Sequence, residues 1–138
     1  MATVELALSP LPIHVRTARL VGVAAARRAG LGDDTLDELR LALGEACARA
    51  VALHAEHAPD VPVIVRVRDD ANALTVEVID VGPESGPVTA DVEELFSSDE
   101  VDPRVSLAVL SGLVDDLVVT PTAQGTTVAL RWPLPPRR

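Results

Sequence analysis

Residues 36–54 carry a hydrophobic pattern that constrains the fold more than any other part of this 138-residue chain. The apolar positions recur at intervals of three and four residues, which predicts an amphipathic helix with one side packed in a core. That stripe consists of Leu36, Leu39, Leu43, Ala46, Cys47, Ala50 and Leu53. Glu45 and Arg49 lie one turn apart on its flank, so we expect the two side chains to pair.

The remaining patterns predict short strands around two further helices. Gly30 and Gly32 are expected to end the first helix, and Thr35 and Glu38 have the spacing of a capping box at the start of the second. The predicted strands cover residues 3–8, 61–68, 73–80, 117–120 and 126–132, and the predicted helices cover residues 13–29, 33–58 and 106–116. Paired strands with helices on one face indicate an α+β fold, a two-layer sandwich with a mostly antiparallel sheet. We expect a single domain over residues 1–138.

Residues 81–103 differ in composition from the rest of the chain. They contain two glycines, three prolines and seven acidic residues, with no basic residue. This composition is typical of a long mobile loop, and loops of this length inside a compact domain are usually functional. We therefore expect a lid; a plain solvated loop or a docking strip for a basic partner fits the same composition.

Charge and composition exclude several functions. The net charge is −9, which opposes binding to nucleic acid or to anionic lipid, and aromatic residues make up only 1% of the chain, so base stacking has few side chains to use. A protein partner is the better expectation. The lone Cys47, the lack of a leader-like start and the lack of a long uncharged apolar run favour a cytoplasmic protein with no membrane span.

Three motifs lie in the predicted elements: Leu-Gly-Glu45-Ala-Cys-Ala-Arg49-Ala on the long helix, Val-Ile-Asp80-Val-Gly82 at the end of a strand, and Gly125-Thr126-Thr127-Val at the start of the last strand. Together with the element order, they resemble the GHKL (Bergerat-fold) ATP-binding superfamily. The specific resemblance is to anti-sigma factor serine kinases of the RsbW/SpoIIAB type. Taken without that context, Asp80-Val-Gly82 also fits an ordinary loop-entry turn.

The resemblance implies a role for each motif. Glu45 would be the base that activates a serine of an anti-anti-sigma partner, and position 49 would hold magnesium through an asparagine. Asp80, with Gly82, would accept the exocyclic amine of adenine. The segment containing Arg104 and Ser106 would cradle phosphate, and Thr126 or Thr127 would support the base.

The sequence departs from the family pattern where the metal and the phosphates would bind. Arg49 stands in place of the asparagine, and a guanidinium only donates hydrogen bonds, so it cannot ligate magnesium. Glu84 replaces the second glycine of the Asp-x-Gly-x-Gly motif, and the segment Arg104-Val-Ser106-Leu has neither glycine of the phosphate loop. A general base paired with arginine also loses basicity. We therefore expect a vestigial kinase site with no metal.

Three functional hypotheses follow. The first is an anti-sigma factor-like regulator with a degenerate ATP site, which binds a sigma factor, an anti-anti-sigma (STAS) protein or both, and pairs with a second copy through residues 3–29. The second is an active ATP-dependent serine kinase. The third is a sensor that binds another nucleotide or a nucleotide sugar, with Arg49 and Arg104 balancing its phosphates without metal. Arg16, Arg19, Arg27 and Arg28 on the first helix mark the expected protein interface.

Other residues admit simpler interpretations. Arg49 could be a solvated charge whose stem lies over apolar neighbours. His54 and His57 have the spacing of two metal ligands on a helix, but no third ligand is evident in the sequence. We expect Cys47 and the group Leu107, Val109, Leu110, Leu113 and Val114 to belong to the core.

Overall fold

The computed structural model describes residues 2–82 and 109–136 of the chain. Two long helices follow the first strand, and two hairpins complete the sheet. The elements are β1 (Ala2–Leu8), α1 (Ile13–Ala29), α2 (Asp33–His57), β2 (Val63–Asp69), β3 (Ala73–Asp80), β4 (Leu117–Pro121) and β5 (Thr126–Pro133). Residues 109–113 are helical, and the predicted lid lies outside the described residues apart from Val81 and Gly82.

The five strands form one antiparallel sheet in the order β1-β2-β3-β5-β4. Side chains alternate between a buried face under the helices and a half-buried face that carries charges. On the charged face Arg66 binds Glu5 of β1, and Arg68 binds Glu77 of β3. The predicted α+β sandwich with a mostly antiparallel sheet is confirmed.

Glycines set the end of α1 and the start of α2. Gly30 has a φ of 102° and ends α1, and the N–H of Leu31 reaches back to the carbonyl of Ala26. The capping box predicted at Thr35 and Glu38 is wrong, because α2 begins at Asp33 after an extended Gly32, with no side-chain cap. An extended glycine serves as N-cap, and two carboxylates in the first turn face the positive end of the helix dipole.

The β2–β3 hairpin turns at residues 70–72, between the strands predicted over residues 61–68 and 73–80, and β2 extends one residue further than predicted. The Asp70 carboxylate accepts the N–H groups of Ala73 and Asn72, and these bonds lower the pKa of Asp70. The third helix ends at residue 113, three residues earlier than predicted, and a turn at residues 114–116 leads into β4. Its predicted start lies outside the described residues.

The core is aliphatic, as the scarcity of aromatic residues requires. Leu39 and Leu43 of α2 pack with Leu74, Leu110 and Leu130, all fully buried, and Cys47 is buried among them as expected. One predicted core position is wrong. Val109 is 42% exposed, since it lies on the outer side of its helix, and Leu20 of α1 is 61% exposed in the same way.

Candidate functional site

Helix α2 and the end of strand β3 bring Arg49 and Asp80 together. Nη1 of Arg49 donates to Oδ2 of Asp80 at 2.9 Å, and each side chain is 1% exposed. Burying a charge is costly unless it is paired and hydrogen-bonded, so each residue stabilises the other in this position. The interpretation of Arg49 as a solvated helix-surface charge is therefore wrong. The helical spacing had indicated Glu45 as the partner of Arg49, and the structure adds Asp80, which is 31 residues away in sequence.

The second carboxylate oxygen of Asp80 is also engaged by the chain itself. The main-chain N–H of Gly82 donates to Oδ1 at 3.0 Å, which closes a tight turn directly after β3. Both oxygens of Asp80 therefore hold donors from this protein. A ligand amine that used this carboxylate would have to share an oxygen with the guanidinium or the N–H.

Strand β5 begins directly beside Asp80. Thr126 is the register partner of Asp80 and is buried, whereas Thr127 lies opposite Ile79 and is half-buried. Of the two predicted threonines, Thr126 is thus the one next to Asp80. Gly125 precedes it, and a Cβ at this position would overlap the carbonyl oxygen of Asp80 and lie 2.6 Å from Cα of Val81. Only glycine allows this approach of the two strands.

His54 is a member of this cluster that the sequence analysis had considered only as a metal ligand. The N–H of Val81 lies 2.9 Å from Nε2, and Nδ1 lies 2.7 Å from the carbonyl oxygen of Val61. An N–H can only donate, so Nε2 accepts and the proton resides on Nδ1. Both ring nitrogens therefore bind main chain. His54 lies four residues after Ala50 and therefore continues the apolar stripe of α2. This spacing could have identified His54 as a buried residue.

The other predicted site residues are placed as follows. Glu45 is half-buried on α2, one turn before Arg49. Arg104 and Ser106 lie outside the described residues. Among residues 2–82 and 109–136, no group of three His, Cys, Asp or Glu side chains could hold a metal ion.

Cys47 lies on α2 between Glu45 and Arg49 but is buried in the core. Burial raises the pKa of its thiol to about 12, although Arg19 acts in the opposite direction. A thiol that stays protonated at neutral pH is a poor nucleophile. This residue is a packing group.

A sequence model of the histidine kinase-like ATPase domain matches residues 8–132. The chain belongs to this family. The match confirms the superfamily that the three motifs indicated, and it includes Glu45, Arg49, Asp80 and Thr126. Within the matched residues, the ion pair of Arg49 and Asp80 joins the long helix α2 to the end of strand β3.

Solved structures agree in fold. The chain is similar to the crystal structure of the RsbU and RsbW domains of Rv1364c from Mycobacterium tuberculosis, with a TM-score of 0.70 and 20% sequence identity. The similarity covers 99% of this chain and 34% of that one, so the chain spans about a third of that protein. No curated protein sequence matches significantly. Within the described part of the chain, no helix is both long enough and apolar enough to cross a bilayer.

Proposed function

We propose that this chain is an anti-sigma factor-like regulator that works by binding protein partners, with its nucleotide site closed by Arg49. The partner is a sigma factor, an anti-anti-sigma (STAS) protein or both. The observation that carries the proposal is the buried ion pair between Arg49 and Asp80. It joins the position of the expected magnesium ligand to the position of the expected adenine acceptor.

The ion pair opposes both halves of Mg–ATP binding. A buried guanidinium at position 49 would repel a divalent cation, and it has no lone pair to offer one. Adenine would have to compete for Asp80 with a charged donor at 2.9 Å, and charge-assisted hydrogen bonds are about twice as strong as neutral ones. Since Arg49 is committed to Asp80, the same contact weakens the hypothesis that it balances the phosphates of another nucleotide.

A basic groove between α1 and α2 supports a protein-binding role. Its volume is about 630 Å³, and its apolar floor consists of Leu20, Val23 and Ala24. It is edged by four of the twelve arginines of this acidic chain, namely Arg16, Arg19, Arg27 and Arg40. Exposed Leu20 and the arginines together suit a partner helix with acidic and apolar residues. This groove contains three of the four α1 arginines that mark the expected interface.

Residues 3–29 also have features of a contact between two copies. Strand β1 is an edge of the sheet, so its outer hydrogen-bonding groups can pair with another strand. Val4, Leu11 and Ile13 expose large apolar side chains nearby. We propose this edge as the site of the predicted homodimer, which analytical ultracentrifugation tests directly.

A thermal-shift panel of nucleotides, with magnesium and with EDTA, tests the closed site. We expect no shift with ATP, GTP or nucleotide sugars in either condition. A magnesium-dependent shift with ATP, together with phosphate transfer lost in Glu45→Gln, would establish the kinase instead. A shift that survives EDTA and is lost in Arg49→Ala would establish the sensor.

Co-purification with candidate sigma and STAS proteins tests the partner. We expect a complex tighter than roughly 10 µM, about −7 kcal/mol. Arg27→Glu should weaken it, because this arginine edges the groove. Arg68→Glu makes the same charge change on the open face of the sheet and should leave binding intact. Equal loss in both variants would count against the groove.

A further inference from the structure

The arginines of this chain divide into two sets by their ion pairing. Among residues 2–82 and 109–136, each of the five arginines outside α1 pairs with a carboxylate. In the same two ranges none of the four arginines of α1 has an ion pair, and these are Arg16, Arg19, Arg27 and Arg28. The chain has a net charge of −9, so carboxylates are plentiful. The surface of α1 thus keeps a positive charge that another molecule can neutralise.

The basic groove places two of these arginines at the ends of an apolar stripe. Arg16 and Arg27 are eleven positions apart, close to three helical turns, so they lie on one side of α1 with about 16 Å between them. The apolar floor of Leu20, Val23 and Ala24 lies between the two. Along α1 the groove therefore presents a cation, an apolar stretch and a second cation.

The shape of this groove suits a third helix. Helices α1 and α2 are joined by residues 30–32 alone and pack side by side, as in an αα-hairpin. From Arg16 through Leu20 and Val23 the lining residues follow at steps of four and three, the spacing at which another helix interdigitates. Leu20 is 61% exposed, so a partner can bury an aliphatic side chain that this chain leaves in water.

We propose that the basic groove binds an amphipathic helix with two carboxylates eleven residues apart and aliphatic residues between them on the same face. The carboxylates pair with Arg16 and Arg27, and the aliphatic residues cover Leu20. This inference rests on the proposed function, which places a protein partner in the groove, and it adds the pattern by which that partner is recognised. The partner helix has at least three turns, and a helix with basic residues at these two positions is rejected.

A pair of synthetic peptides tests the spacing. The probe is a fluorescein-labelled peptide of about eighteen residues, kept helical by a hydrocarbon staple on one flank, with two glutamates eleven positions apart and leucines between them on the same face. The control has the same composition and staple, but its glutamates are nine positions apart and lie on opposite sides of the helix. We expect saturable binding of the probe by fluorescence anisotropy. The control should bind about threefold more weakly, the size expected for one exposed ion pair.

Two matched pairs of variants assign the binding to the groove. Leu20→Ser and Leu41→Ser change leucines that are 61% and 62% exposed, and only Leu20 lines the groove. Arg27→Gln and Arg28→Gln change adjacent exposed arginines of α1, and only Arg27 lines it. The probe should bind about tenfold more weakly to Leu20→Ser and about threefold more weakly to Arg27→Gln. The other variant of each pair should bind it like the unchanged protein.

The proposal is overturned if the probe shows no saturable binding, if the two peptides bind equally, or if the variants of each pair have equal affinities. Should a sigma factor or STAS protein still co-purify with the chain in that case, the proposed function would stand and the partner would use another surface. Conversely, probe binding with the expected losses but without a sigma or STAS complex would support the recognition pattern and contradict the proposed function.

Discussion

Arg49 on α2 and Asp80 at the end of β3 form a buried ion pair with an N–O distance of 2.9 Å. The pair connects the helical layer to the sheet at the end of β3. Breaking one partner leaves an uncompensated buried charge, whereas removing both charges can cost little. The pair is thus a structural link between the two layers.

This asymmetry gives the first prediction. Arg49→Met should lower the free energy of unfolding by about 3–5 kcal/mol, because Asp80 stays buried without its cation. The double variant Arg49→Met with Asp80→Asn should recover a large part of that loss, since the asparagine oxygen still accepts the N–H of Gly82. Urea unfolding of the double variant and of each single variant, Arg49→Met and Asp80→Asn, measures the difference. If the double variant were as unstable as the sum of the singles, charge pairing would not explain the effect.

The second prediction concerns Cys47 at alkaline pH. The unfolded thiol loses its proton near pH 9.0, while the folded thiol keeps it to about pH 12. The unfolded state therefore binds fewer protons in this window, and stability should fall by about 1.4 kcal/mol per pH unit. The chain has no Lys or Tyr, so no other side chain is expected to titrate there. Urea unfolding from pH 8 to 11 measures the slope.

The control for this slope is Cys47→Ala, which should be less stable at pH 8 but nearly independent of pH up to 11. The native thiol should also resist alkylating reagents at pH 8 and react only after unfolding. Rapid labelling of the folded protein would contradict the burial of this residue.

The third prediction concerns the close approach at Gly125. Gly125→Ala should destabilise the protein by about 1–3 kcal/mol, because the added methyl group overlaps the carbonyl of Asp80 and must displace β5. Gly112→Ala is the matched control, since its Cβ would meet nothing within 4 Å in an exposed helical turn. That variant should be stabilised by up to about 1 kcal/mol. Thermal unfolding of the two should move the midpoint in opposite directions.

The fourth prediction concerns His54. His54→Phe keeps an aromatic ring but leaves the carbonyl of Val61 and the N–H of Val81 without their partner. We expect a loss of about 2 kcal/mol in the free energy of unfolding. His57→Phe, at a side chain that is 42% exposed, should change stability by less than about 0.5 kcal/mol. Similar losses in both variants would show that His54 contributes only packing.

The local patterns were sufficient for most of the secondary structure. The bounds of α1 and β3 match the prediction, because local chemistry sets them: Gly30 ends α1, and the polar turn at 70–72 precedes β3. The paired strands predicted a sheet with helices on one face, and the motifs around Glu45, Asp80 and Thr126 led to the correct superfamily. The exposure of Val109 was missed, because a pattern does not show which side of a helix the fold covers. The N-cap of α2 was missed because Thr35 and Glu38 have the spacing of a capping box that the helix does not use.

The sequence by itself determined the order of elements, the aliphatic core and the presence of an arginine at the position where the family resemblance implies a magnesium ligand. Only the tertiary structure decided what that arginine does. Helical spacing relates Arg49 to residues three or four positions away, whereas its partner Asp80 is 31 positions distant. The two meet because α2 packs across the sheet next to the end of β3, and burial then requires each charge to have its counterion. The same packing placed His54 against Val81, a contact that depends on chain folding and leaves no local pattern.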